Sequence, residues 1–144
     1  MTSVRRRKPK FAPGKAEQTQ SFLVIHTGGL GDVVLAAPLL SALKLRFPES
    51  QTILLTKAAF CEIALLFPHP PDEIIPLPLN PFQELVPTAL LYDKLRELVQ
   101  LLKGFHFTTV VAADLEPTWL GWFLGSALAP AAAVACARDR KSVV

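Results

Sequence analysis

From residue 22 onward the chain alternates short apolar runs with longer segments of helical period, punctuated by Gly and Pro. That rhythm is the signature of βαβ units winding a parallel sheet, and it constrains the fold more than any other feature. Phe22 to His26 (FLVIH) reads as the first strand, Thr27 to Gly31 as a glycine-rich turn, and Asp32 to Phe47 as an apolar helix. Pro48 ends that helix because its ring cannot continue it. Thr52 to Thr56 is the second strand, Ala58 to Phe67 a short helix stopped by Pro68, and Glu73 to Leu77 the third strand. The prolines spaced from Pro76 to Pro87 demand a loop. Tyr92 to Lys103 is an amphipathic helix, with Leu91, Leu95, Leu98 and Leu102 on one stripe and Gly104 as its stop. Thr108 to Ala112 reads as a fourth strand, Thr118 to Leu128 as a helix, and Ala131 to Ala137 as a fifth strand. The expected fold is α/β, a Rossmann-like parallel sheet flanked by helices.

The composition agrees with that class. Of 144 residues, 51% are hydrophobic and 19% charged, enough apolar surface for one compact domain and too little charge for a disordered chain. Thirteen prolines exclude a long coiled coil. Cys61 and Cys136 stand far apart and match no zinc or disulfide framework, which points to a reducing, intracellular setting. The net charge of +3 is unevenly spread. Residues 1–20 hold six basic side chains against Glu17, whereas the body holds nine basic against eleven acidic. The body therefore carries no basic surface for nucleic acid. Residues 1–20 read as a basic disordered leader, without the apolar stretch of a secretory signal, and residues 21–144 as the domain.

One segment bears on membranes. Thr118 to Ala137 is twenty residues without a charge, followed by Arg138, Arg140 and Lys141, and Gly121 with Gly125 makes a GxxxG pair. Length and flank suit a membrane span. Pro130 and the abundant alanines instead predict a helix and a strand packed on a parallel sheet.

The chemistry-bearing feature is HTGGLGDVV, at the carboxyl end of the first strand, where open α/β sheets place their ligands. Gly28, Gly29 and Gly31 are expected to allow positive φ and close backbone approach, and the following helix presents free N–H groups that favour an anion. A tight βα turn alone also uses such glycines. A dinucleotide fingerprint needs G-x-G-x-x-G, but this loop is G-G-x-G, and Thr56 and Lys57 stand where an acid should follow the second strand. A Walker loop needs G-K-[ST], but Gly31 precedes Asp32. No G-x-S-x-G or H-E-x-x-H occurs. Asp32 has two readings. It is an N-cap of the helix, or it is a carboxylate kept beside an anion-friendly loop to accept a proton from a hydroxyl.

The stretch LVIHTGGLGDVVLAAPLLSALKLRFPESQTILLT resembles the amino-terminal half of family 9 glycosyltransferases, the ADP-heptose:lipopolysaccharide heptosyltransferases. The resemblance rests on Gly29, Gly31, Asp32, Pro38, Lys44 and Pro48 with the strand that follows, and extends through PHPPDEIIPLP and FHFTTVVAADLEPTWLGWFLGSAL over most of residues 21–141. It implies a GT-B fold of two Rossmann-like domains, of which this is the amino-terminal, acceptor-side one. A second domain, absent from these residues, would bind most of the nucleotide-sugar, and the chain reads as truncated before it. The implied reaction transfers heptose or a related sugar from a donor such as ADP-heptose to a lipopolysaccharide-type glycolipid, with inversion and without a metal or other cofactor. Asp32 inherits the role of general base. Thr27, Gly28, Gly29, Leu30 and Gly31 would line the donor and acceptor sites, while His26 and Thr27 depart from the Arg, Ser or small residues that relatives often carry there. The implied location is the cytoplasm, peripheral on the inner membrane face, with the run from Arg5 to Lys10 near anionic lipid. A rival reading is a non-catalytic α/β module, folded or membrane-attached through 118–137.

Overall fold

The computed structural model describes residues 4–5, 19–114 and 118–135. In chain order these form β1 (Val4–Arg5), β2 (Ser21–Ile25), α1 (Leu30–Arg46), β3 (Gln51–Lys57), a 3-10 turn at Ala58–Phe60 running into α2 (Cys61–Ala64), β4 (Glu73–Leu77), α3 (Ala89–Lys103), β5 (Thr109–Ala112), α4 (Trp119–Ala127) and β6 (Ala132–Ala135). The sheet order is β1-β4-β3-β2-β5-β6. The five strands β2 to β6 run parallel, and β1 adds an antiparallel edge on β4 through Val4 and Arg5. Those two residues belong to the stretch read as a leader; the rest of 1–18, and positions 136–137 of the expected fifth strand, lie outside the described residues.

The apolar runs are continuous because both faces of the central strands are buried. Leu23, Ile25, Ile53, Leu55 and Ile75 face α3 and α4, where they meet Leu91, Leu95, Leu98, Leu102, Leu120 and Leu124. The alternate residues Val24, Leu54 and Ile74 face α1 and α2, against Leu40, Cys61, Ala64 and Phe67. Each fully buried Leu or Ile stabilises the fold by roughly 1.5–3 kcal/mol. β6 differs, since all four of its residues are exposed.

Two expected boundaries moved for identifiable reasons. α3 starts at Ala89, three residues before Tyr92, because the Thr88 hydroxyl caps it by accepting from Leu91 N–H at 3.1 Å, a contact worth about 1 kcal/mol. The helix expected over Ala58 to Phe67 is only a 3-10 turn and one α turn, ending at Ala64. The uncharged run after Thr118 forms α4 and then β6, and among the described residues no helix is long and apolar enough to cross a membrane. Gly121 serves sheet packing there, since a Cβ on it would lie 2.9 Å from Ala112 Cβ.

Lys44, part of the family-like pattern, works far from the glycine turn. Its ammonium donates to the Ser50 carbonyl at 2.9 Å and lies 3.8 Å from Asp72, whose Oδ2 accepts from Thr52 N–H at 2.8 Å. The cluster ties the end of α1 to the start of β3, which is a structural task.

The chain winds from β2 through β3 to β4, then crosses back by way of α3 to lay β5 on the other side of β2. Strand order therefore reverses between β2 and β5. Ligands of open α/β sheets bind outside the carboxyl ends of the strands at such a reversal, where residues 26–29 follow β2 and Ala113 and Asp114 follow β5.

Candidate functional site

The residues after β2 sort into two groups. His26 and Thr27 are fully buried, Gly28 and Asp32 are half-buried, and Gly29, Leu30 and Gly31 are exposed. The buried pair is held from β5. Asp114, 5% exposed, accepts from Thr27 N–H at 2.7 Å and Gly28 N–H at 3.1 Å through Oδ1, and from the Thr27 hydroxyl at 2.7 Å through Oδ2. Thr27 thus turns both of its donors away from any ligand. The expected positive φ at the glycines is absent: Gly28, Gly29 and Gly31 all have negative φ. Gly28 is needed for close approach instead, because a Cβ there would sit 2.8 Å from Asp32 Oδ2, 3.2 Å from Asp32 Cβ and 3.3 Å from His26 Cε1.

Gly29 is the N-cap of α1, extended at φ −79° and ψ −178°, and its carbonyl accepts from Asp32 and Val33 N–H, both at 3.1 Å. No side chain caps the helix. The N-cap reading of Asp32 is therefore corrected: helix geometry begins at Leu30, two residues earlier than expected, because Gly29 adopts the cap conformation without a side chain. Asp32 stands in the first turn, where the helix dipole favours its charge. Leu30 and Gly31 occupy the first two helical positions, whose N–H groups have no intrahelical acceptor. The Asp32 carboxylate accepts no hydrogen bond from the described residues.

Asp32 also stands at a cleft of about 300 Å³ between α1 and the β5–β6 strands, with Leu35, Leu39, Val111, Ala113 and Val134 among its walls. It is the one charged residue of that lining among the described residues. A wider depression of about 820 Å³ between α3 and α4 touches none of the turn residues.

His26 extends β2 by donating its N–H to the Leu55 carbonyl at 2.9 Å. Its imidazole is 2% exposed, with Nε2 4.0 Å from Asp114 Oδ1 and Nδ1 without a hydrogen-bond partner among the described residues. Burial pushes its pKa below 6.5; the charges of Asp114 and Asp32 oppose that shift, and Lys57 adds to it. The imidazole is accordingly neutral at pH 7, a wall of the site rather than a cation for an anionic ligand.

Sequence reasoning missed Asp114. Its signal was an acid directly after the fourth strand, at the strand end that faces the glycine turn. Among the described residues the geometry joins a carboxylate without a hydrogen-bond partner, free helix N–H groups and an apolar cleft at the sheet's switch point, which suits proton acceptance from a hydroxyl beside an anion. Among the described residues no three His, Cys, Asp or Glu side chains cluster to hold a metal ion. Comparison with protein-family models, curated proteins and solved structures finds no match to this chain.

Proposed function

We propose that this domain is the acceptor side of an inverting GT-B glycosyltransferase similar to family 9, transferring heptose or a related sugar from a nucleotide-sugar such as ADP-heptose to a lipopolysaccharide-type acceptor. The observation that carries the reading is Asp32: a half-buried carboxylate with no hydrogen-bond partner among the described residues, lining a cleft at the switch point. The acceptor hydroxyl attacks the anomeric carbon from the face opposite the leaving group. As the new C–O bond forms, the bond to the diphosphate breaks, its electron pair leaves with the nucleoside diphosphate, and the hydroxyl proton passes to Asp32. Such general-base assistance contributes on the order of 10²- to 10⁴-fold.

The N–H groups of Gly29, Leu30 and Gly31 face the donor diphosphate in this scheme, supported by the α1 dipole. Most of the donor contacts come from a second Rossmann-like domain, in this chain or another, which the resemblance requires. The run from Arg5 to Lys10 holds the protein to anionic lipid at the cytoplasmic membrane face. The test is an NMR titration of the chain with a lipid A core oligosaccharide. The reading expects saturable shifts at Gly29, Leu30, Gly31 and Asp32; shifts confined to the α3–α4 face, or none, overturn it.

A further inference from the structure

Asp114 is nearly buried and lies 87 residues along the chain from Thr27, yet both of its oxygens are engaged with the turn after β2. A carboxylate removed from water costs several kcal/mol unless hydrogen bonds replace its hydration. Here two backbone N–H groups and one hydroxyl do so. Charge-assisted bonds of 2.7 Å are among the stronger ones in proteins. Their effect is to fix the Thr27–Gly28 peptide to β5 across the switch point. On its other side Gly28 touches the second carboxylate, so closely that a single Cβ would collide with Asp32 Oδ2. The Thr27–Gly28 segment is therefore held by Asp114 and in turn limits where the Asp32 side chain can stand. Gly29, which follows, is the N-cap of α1, and the helix carries Asp32 on its first turn.

We infer that Asp114 is a positioning residue: by clamping Thr27 and Gly28 it sets the place of the Asp32 carboxylate beside the cleft. The inference rests on the reading of Asp32 as the base only for its catalytic consequence, because the clamp is measurable without any substrate.

The experiment is NMR of the whole chain, wild type beside Asp114→Ala and Asp114→Asn. In the wild type, the Thr27 and Gly28 amides should exchange with solvent at least tenfold more slowly than that of exposed Gly29, and Gly28 Hα should show a strong contact to Asp32 Hβ. Exchange at Thr27 and Gly28 as fast as at Gly29 overturns the proposal without recourse to any variant, so it stays testable even if Asp114→Ala fails to fold. In folded Asp114→Ala the slow exchange and the Gly28–Asp32 contact should both be lost. In Asp114→Asn, which keeps one oxygen for the two N–H groups and can donate to the Thr27 hydroxyl, both should be retained. A folded Ala variant that keeps them refutes the clamp. Turnover separates the two readings: with the donor-binding domain present, Asp114→Ala should fall about 10- to 100-fold and Asp114→Asn should recover most of it. Loss of the contact in Asp114→Ala with Asp32→Asn fully active would leave the clamp standing and remove the base.

Discussion

Replacing Gly28 with Ala separates the site from the fold. The backbone at Gly28 is not left-handed, so alanine fits its conformation, and the loss of chain entropy in the unfolded state favours Ala by about 0.4–1 kcal/mol. Against that stands crowding. The new Cβ falls 2.8 Å from Asp32 Oδ2, whereas ordinary contact begins at 3.4 Å, so the carboxylate must retreat by about 0.6 Å. Asp32 Cβ at 3.2 Å and His26 Cε1 at 3.3 Å must each give by a few tenths of an ångström. The carboxylate is the end of a flexible side chain and can swing, so the two effects nearly cancel in stability. We expect a change within about 1 kcal/mol, a melting shift on the order of 4 °C. Catalysis is less tolerant, since misplacing a reacting group by about 1 Å can cost on the order of 100-fold. Turnover should therefore fall by about 10-fold or more. The assay pairs thermal melting with steady-state transfer by the protein together with the proposed donor-binding domain. A Gly28→Ala protein that melts normally and works at the wild-type rate would show that the Asp32 position is not set by Gly28, and the reasoning would fail.

Two further predictions concern pH and packing. Because burial lowers the His26 pKa below 6.5, the unfolded chain binds a proton there more readily than the native one, so stability should decline as pH falls below about 6.5 toward the folded value. Urea unfolding between pH 5.5 and 7.5 should show that decline, and His26→Gln should flatten it; an unchanged slope would exclude His26 as its source. Gly121→Ala should destabilise the fold by about 1–3 kcal/mol through contact with Ala112 Cβ at 2.9 Å, whereas Gly125→Ala, meeting Ala133 Cβ at 3.6 Å, should be nearly neutral. Equal melting temperatures for the two variants would contradict the packing described for α4.

Local pattern made most of the fold readable. β2, β3, β4 and β5 are apolar runs because parallel strands are covered on both faces, and the Leu stripe of α3 lies on its buried side. β6 was legible only through the composition between Pro130 and Arg138, as it buries none of its side chains. What period does not encode went astray. The Thr88 cap is one hydroxyl four residues ahead of the expected start, and β1 is two residues long with its register set by β4 rather than by pattern. The glycine turn marked the candidate site, but the need for Gly28 proved to be space for Asp32 instead of backbone sign. Asp114 acts from 87 residues away, so nothing beside Thr27 in the sequence announces it; only the parallel pairing of β2 with β5 brings the two together.

Asp32→Asn isolates what the Asp32 carboxylate does. The side chain neither caps α1 nor accepts a hydrogen bond among the described residues, so the change costs only its favourable place near the helix dipole, about 0.3–1 kcal/mol. The decisive measurement is steady-state transfer from ADP-heptose to a lipid A core acceptor by wild type and Asp32→Asn, each with the donor-binding domain present and each melted as a folding control. A normally melting variant whose turnover falls by about 100-fold or more is the predicted result, and one that turns over at the wild-type rate would contradict it.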